Sequence, residues 1–491
     1  MPITETSPPQ AARAAGQGQL HGNIGFLNLV FTILAYNGPM VVFLGFIPIV
    51  ILLGNGVGTP AMIMVCGIVA VLFTSGLVAM GLRLPKPGGF YSIASAGLGK
   101  VVGLGAGYTA MVCYFAANLG AYALGGMAAE TFVHDIGGPT LPWWVYGLGM
   151  FVVTSFLGYM NIDFSARVLT FFLALELLLM LAYNFSVVTQ GGAQGLGLDS
   201  FQPENIFSGS IGIAFLLGMG MYGGFEASVI FRDEVKRPEK TVPRATYTVV
   251  IVLTILYAFT AWSFINSYGP QAIMGVLSSN AAASSFESVQ HFTGSFAYYA
   301  ATALLITSNF ALSLASHNIV SRYVFNLSTD RVIFKSLSHV HSRHASPHKA
   351  SMAVSAFVAV GIFLFAGMEG GLAYARLAGI YAYAFAILMA VAALAITVFL
   401  AKDLTGGRRA LWQAVATGIS TVFLVIALVL ATTNFELIIG TEGILTWLIL
   451  AVILGIIGTG MITAAVYKKR RPDVYARIGR DDAGDIVPQP K

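Results

Sequence analysis

Apolar residues along this chain gather into long runs separated by short polar breaks. Crossing the hydrocarbon of a bilayer at 1.5 Å per residue takes about 20 predominantly apolar residues. Runs of that kind lie at 24–53, 60–82, 101–132, 143–160, 165–189, 208–231, 242–267, 292–325, 350–366, 371–401, 411–430 and 444–467. The pattern predicts an all-α integral membrane protein with twelve transmembrane helices. The run at 292–325 exceeds one crossing, so its basic end is expected to project into the cytosol.

The connections test this count independently. Lys and Arg accumulate in short loops on the cytoplasmic side. With the N-terminus inside, the even-numbered connections and both tails hold all but one of the 26 Lys and Arg. Arg83 and Lys86 follow helix 2, Lys236, Arg237 and Lys240 follow helix 6, and Arg408 and Arg409 follow helix 10. The C-terminal tail, 468–491, opens on Lys468, Lys469, Arg470 and Arg471. The odd connections carry Asp135, Asp199, Glu204, Glu287, Glu369, Glu436 and Glu442 and no Lys. A miscounted helix would scramble this alternation. The expectation is a multi-pass protein of the cytoplasmic (inner) membrane with both termini cytoplasmic and Arg376 as the one exception.

Composition agrees: 57% of residues are hydrophobic, 10% are charged, and mean hydropathy is +0.79. A soluble domain carries roughly 25% charged residues to keep its surface wet. The net charge of +5 is explained by the sidedness of the loops, and no nucleic-acid partner is expected. Cys66 and Cys113 sit in apolar runs and read as packing residues rather than a disulfide. Residues 1–22 lack the apolar core of a signal peptide and read as a disordered cytoplasmic tail.

Two apolar runs are interrupted. Helix 1 contains Ala35-Tyr36-Asn37-Gly38-Pro39, followed by Met40, and helix 6 contains Met219-Gly220-Met221-Tyr222-Gly223-Gly224-Phe225-Glu226. Proline removes a backbone N–H and clashes with the preceding turn, while glycine frees the backbone. Both breaks have the form Tyr-x-Gly and lie five helices apart. Unwound backbone at membrane depth is tolerated where it is buried in protein or lines a cavity. Breaks at matching positions of two halves point to a carrier's binding site between inverted repeats. Each break exposes N–H groups at one half-helix start, suited to a carboxylate, and C=O groups at the other end, suited to an ammonium or cation. A zwitterionic small molecule complements such a site. Ordinary kinks are the plainer alternative.

Gly224-Phe225-Glu226-Ala227, with Asp233-Glu234, Arg237-Pro238 and Thr241-Val242-Pro243-Arg244-Ala245, resembles the helix 6 to 7 signature of the amino acid–polyamine–organocation permeases. Pro85-Lys86-Pro87-Gly88-Gly89-Phe90-Tyr91 resembles the family's loop before helix 3. Gly54-Asn55-Gly56-Val57-Gly58 is similar to the turn after helix 1 in some bacterial members. Ala315-Ser316-His317-Asn318 through Arg322-Tyr323, then Asp330-Arg331, is similar to the end of helix 8. The resemblance covers nearly the whole chain. It implies a LeuT-type five-plus-five inverted repeat, 23–190 and 206–402, with two further helices at 410–467. It also implies uptake or exchange of amino acids or amines, often driven by protons. Two stretches depart from it: Tyr36-Asn37-Gly38-Pro39 replaces a Gly-Ser-Gly type break, and Arg-Val-Ile-Phe follows Asp330 where Gly and Pro are usual. The Ala-Tyr-x-x-Pro-Met-Val-Val-Phe form of helix 1 resembles bacterial putrescine importers, which keeps amines in play.

Charge at bilayer depth is costly and usually functional. Glu226 sits at the helix 6 break, and the resemblance associates its position with proton sensing; the alternative is an acceptor holding the loose backbone. Glu176 lies mid-helix 5, near where some proton-coupled relatives place a lysine, and is a candidate for carrying a proton or attracting a cation. Arg376, one turn into helix 10, either snorkels to the outer interface or pairs at an outer gate with Glu369, Glu130 or substrate. Asn309, Ser313, Ser316 and His317 share a face of helix 8, suited to an ion or to interhelical hydrogen bonds. Tyr114, Asn118 and Tyr122 form a polar stripe on helix 3 suited to a cavity wall or to helix pairing. The expected substrate contacts are Tyr36–Met40, Met221–Phe225, Tyr114 and Asn118. Glu226, Glu176, Ser313 and His317 are the coupling candidates, and Phe225 reads as a gate or packing wall.

Gly218–Gly223 matches G-x-G-x-x-G without a preceding strand, so no dinucleotide site is expected. His339, His341, His344 and His348 read as a solvated basic loop rather than a metal site. No Walker A sequence and no catalytic constellation is present, so the chain reads as a carrier rather than an enzyme. No cofactor is expected beyond a coupling proton or sodium ion. The expected partners are a small amino acid or amine and the lipid membrane; nothing in the sequence sets an oligomeric state.

Overall fold

A computed structural model describes residues 24–84, 89–160, 166–341, 347–402, 407–441 and 443–479. The expected tail at 1–22, residues 85–88 of the loop before helix 3, His344, Glu442 and the chain beyond 479 lie outside the described residues.

Eleven helical stretches are long and apolar enough to cross a membrane. The twelfth predicted span, helix 6, is present in two pieces, Ile211–Gly220 and Ala227–Ile230, joined by turns. Helix 1 is likewise divided into Phe26–Asn37 and a second half running from Pro39 to Leu53, with a π-helical stretch at Val42–Phe46. The uninterrupted helices are Thr59–Gly81 (helix 2), Lys100–Asp135 (3), Trp143–Met160 (4), Ala166–Gln190 (5), Pro238–Tyr268 (7), Ser295–Thr329 (8), His348–Phe365 (9), Gly370–Lys402 (10), Gly407–Thr433 (11) and Ile444–Arg470 (12).

Helix 3 runs through the centre of the bundle, packing against helices 4, 8, 10 and 12. With no hydrophobic force to drive association in lipid, close backbone approach supplies the contacts. At Gly126 a Cβ would lie 2.4 Å from the Trp143 carbonyl oxygen, and at Gly147 it would lie 2.9 Å from that of Tyr122. Helices 3 and 4 can therefore touch only because those positions are glycine. Phe171, Leu178 and Phe185 on helix 5, and Val422 and Val429 on helix 11, are exposed on the outside of the bundle, as a lipid-facing surface requires.

Two features depart from the expectation. A helix at Ile273–Thr293, kinked at Asn280, follows helix 7 and packs on the second half of helix 1. Its Ser-rich sequence is too polar for a span, so the apolar pattern passed over it. The C-terminal tail also docks: Val474 and Ile478, around the short helix Pro472–Arg477, are buried against Tyr91, Leu104, Leu327 and Val332.

Candidate functional site

The two breaks meet at the centre of the bundle. In each Tyr-x-Gly the glycine is left-handed, with φ +64° at Gly38 and +100° at Gly224. Only glycine adopts such angles at no steric cost. Proline opens the second half of helix 1, where its missing N–H and fixed φ suit a helix start. A Cβ at Gly224 would lie 3.4 Å from the Tyr36 backbone and Cβ, so the unwound segments are in contact.

Asn37 ties them together. Its Nδ2 donates to the carbonyls of Met221 (2.6 Å) and Gly223 (2.9 Å), and its Oδ1 accepts from the Tyr257 hydroxyl of helix 7. The Tyr381 hydroxyl of helix 10 donates to the Gly220 carbonyl at 3.1 Å. The carbonyls freed by unwinding helix 6 are thus met by side chains from helices 1 and 10, as buried backbone acceptors must be.

A cavity of about 440 Å³ opens beside these segments. Tyr36, Asn37, Gly223, Gly224 and Glu226 line it at the breaks, and Tyr91, Glu234, Arg322 and Asn326 line its mouth. Nine aromatic residues contribute to its wall. Phe46 meets Tyr374 and Tyr381 edge-on at 6.3 and 6.1 Å, Tyr381 stacks on Phe385 at 5.8 Å, and Tyr114 lies 6.1 Å from Tyr323. Away from the mouth the halves close on one another: Ser210 N–H donates to the Gly54 carbonyl at 2.9 Å, and Ser285 Oγ donates to that of Leu44 at 3.0 Å.

Glu226 is 5% exposed and lines the cavity. One carboxylate oxygen accepts from the Tyr114 hydroxyl and the other from Gly224 N–H, both at 3.0 Å. It therefore holds the break and faces the cavity at once. Glu176 lies on the opposite side of helix 1. Its Oε2 accepts Met40 N–H at 3.2 Å, and the Ser308 hydroxyl bonds the same carboxyl. This pair borders a separate cavity of about 290 Å³ between helices 1, 5 and 8.

The remaining predicted residues fall elsewhere. Pro39 and Met40 are buried behind the cavity wall, and Met221 contributes its carbonyl rather than its side chain. Tyr222 faces helices 2 and 7, bonding the Ile63 carbonyl and Thr254. Phe225 packs edge-on against Phe73 at 5.8 Å and is buried outside the residues that line the cavity. The helix 3 stripe divides by direction. Tyr114 reaches Glu226, Asn118 donates to Ser313 O and Ser316 Oγ of helix 8, and Tyr122 pairs with Thr154 of helix 4. Ser313 donates to Phe310 O within its own helix, and His317 bonds Ser351 of helix 9 at 2.9 Å, away from the cavity.

Arg376 donates through Nε to the Ile439 carbonyl at 2.7 Å and lies 3.4 Å from that of Gly440. It closes the C-terminal end of the helix Phe435–Ile439, where a cation complements the helix dipole. Glu369, one of its candidate partners, accepts the N–H groups of Gly371 and Leu372 at the start of helix 10. Among the described residues no group of three or more His, Cys, Asp or Glu could hold a metal ion.

Sequence reading passed over Tyr257, Tyr374, Tyr381 and Phe46. Phe46 lies about two turns beyond the helix 1 break and was readable by spacing. The others lie on intact helices with no local signal.

A bundle of apolar helices with two unwound around an enclosed cavity has the architecture of a membrane transport protein. The amino acid permease family model matches residues 24–462, so the chain belongs to that family, among permeases rather than enzymes. Over 225 residues the chain is 23% identical to the Asc-type amino acid transporter 1 of Mus musculus, a match covering 42% of this chain and 40% of that one. Over 237 residues it is 26% identical to the large neutral amino acids transporter small subunit 2 of Oryctolagus cuniculus, covering 45% and 42%. Over 304 residues it is 24% identical to the cystine/glutamate transporter of Pongo abelii, covering 61% and 59%. The chain thus spans about two fifths of the first two relatives' length.

Proposed function

We propose that this protein is a secondary active carrier moving amino acids, or their amine relatives, across the cytoplasmic membrane by alternating access. The observation that carries this reading is the pair of touching, glycine-broken segments, clamped by Asn37, beside a cavity open at one end and closed at the other. The halves 23–190 and 206–402 are the bodies that move against each other, with the helices at 410–467 outside the exchange. The sidedness of Lys and Arg puts the open mouth, with Arg322 and Glu234, on the cytoplasmic side, so this is the inward-facing state.

Glu226 is the coupling group, with a proton as the coupling ion and sodium as the alternative. It lies at the break and in the cavity, so its charge state reaches substrate and moving backbone together. Coupling requires that protonation favour one facing state over the other. Glu226→Gln keeps the shape and removes the titration, so the pH dependence of uptake flattens; a wild-type pH profile removes Glu226 from the role.

Counterflow into proteoliposomes tests the carrier reading. Internal unlabelled substrate drives accumulation of external label through a carrier, whereas a pore gives none. Amines are the second reading, favoured by the Glu226 carboxylate at the helix 6 break and the tyrosine and phenylalanine rings around it.

A further inference from the structure

We infer that the cavity reads an organic ammonium lacking an adjacent carboxylate, because Glu176 already holds the anchor that a substrate carboxylate would need. The inference rests on the cavity being the carrier's substrate site.

A substrate carboxylate at an unwound helix is held by the free N–H groups of the half-helix that restarts there. In this chain the first turn of that half-helix is depleted of donors. Pro39 has no N–H, Met40 N–H is committed to Glu176 at 3.2 Å, and Val42 N–H is committed to Gly38 O at 3.2 Å. Val41 and the N-cap Gly38 are the donors that remain. Arg322 does not replace the anchor. Ser308 abuts Gly38, and Arg322 lies 14 residues further along helix 8, about 21 Å at 1.5 Å per residue.

What the cavity does offer is acceptors. Asn309 is fully buried, and its Nδ2 donates to Leu305 O, which fixes the amide orientation; its Oδ1 has no partner among the described residues. The Tyr374 hydroxyl is also buried and without a partner among them. Both residues line the cavity with Glu226, whose carboxylate has about four acceptor sites and fills three of them from Tyr114, Gly224 and its own backbone N–H. A buried acceptor without a donor is costly, and an ammonium with its N–H groups satisfies several at once. The ring faces of Tyr36, Tyr381 and Phe385 suit a cation and the apolar body behind it. The chemistry selected is a primary or secondary amine on an aliphatic or aromatic frame.

Matched pairs test this on the full-length purified protein: phenethylamine against phenylalanine, isopentylamine against leucine, putrescine against ornithine. Melting shifts and competition for counterflow are the readouts, since ligands stabilise the state they bind. The expected result is that the amine of the best pair binds at least tenfold tighter than its amino acid. Glu176→Ala frees Met40 N–H and narrows that ratio, while Glu176→Gln keeps an acceptor there and preserves it. Equal or tighter binding of the amino acids by the wild type overturns the inference and leaves the carrier reading standing, whether or not the Ala variant folds. Silence of every compound in both binding and counterflow overturns the carrier reading and this inference with it.

Discussion

Asn37 is the side chain on which the geometry of both breaks depends, and its replacement has consequences that can be worked from the contacts. Asn37→Ala removes three hydrogen bonds, to Met221 O, Gly223 O and the Tyr257 hydroxyl. Gly223 borders the cavity and its carbonyl can take water instead. Met221 and Tyr257 are 1% and 0% exposed, so their groups are left dry. An unsatisfied buried polar group costs about 1–3 kcal/mol, giving roughly 2–6 kcal/mol for the two. Asn37→Asp separates the terms further. An aspartate still accepts from Tyr257, but it turns a charged oxygen toward two carbonyls that sit 2.6 and 2.9 Å from the amide nitrogen in the wild type. Protonated, the same carboxyl donates to one of them. The Asp variant is therefore less stable than the Ala variant at pH 8 and regains stability as pH falls toward 5. Melting of the purified variants across that range, with counterflow at each pH, is the assay. An Ala variant within 1 kcal/mol of wild type, or an Asp variant that tracks Ala at every pH, refutes the clamp.

Gly224→Ala forces a Cβ onto a backbone at φ +100° with Tyr36 atoms at 3.4 Å; a strained φ costs on the order of 1–3 kcal/mol, so melting drops and transport falls. Gly149→Ala, in helix 4 with nothing within 4 Å of the added carbon, is the control and melts at or slightly above wild type. Arg376→Gln loses the charge that closes Phe435–Ile439, lowering the melting temperature by an amount worth about 1 kcal/mol while leaving substrate preference unchanged. A change in preference in that variant would return Arg376 to a gating role. Tyr381→Phe leaves the Gly220 carbonyl at the cavity wall with Gly223 N–H alone and raises KM more than it lowers kcat; an unchanged KM detaches that hydroxyl from the site.

What the sequence made legible was what costs energy locally. A Tyr-x-Gly run inside an apolar span, proline after a glycine and a carboxylate at bilayer depth are each penalised unless the structure uses them. The two breaks and Glu226 accordingly stood out and came together. Residues whose role depends on how a regular helix is rotated carried no such mark. Tyr114, Asn118 and Tyr122 recur every four residues and look equivalent along the chain, yet one meets Glu226, one meets helix 8 and one meets helix 4. A four-residue step advances 400° around the axis, so a stripe drifts about 40° per turn, enough to change neighbours over two turns of a crowded central helix. Arg376 shows the same limit for charge. Its departure from the cytoplasmic pattern marked it, but its carbonyl partner lies 63 residues away on a five-residue helix that no span pattern predicts. Glu176 is the sharpest case. A buried carboxylate on helix 5 announces itself, but only the structure sets it against Met40 N–H, behind the break rather than in the cavity. That placement changes its meaning. A carboxylate that bonds the half-helix a substrate carboxylate would seek is, under the inference drawn above, a determinant of which end of the substrate is read, and the Glu176→Ala and Glu176→Gln pair tests that role.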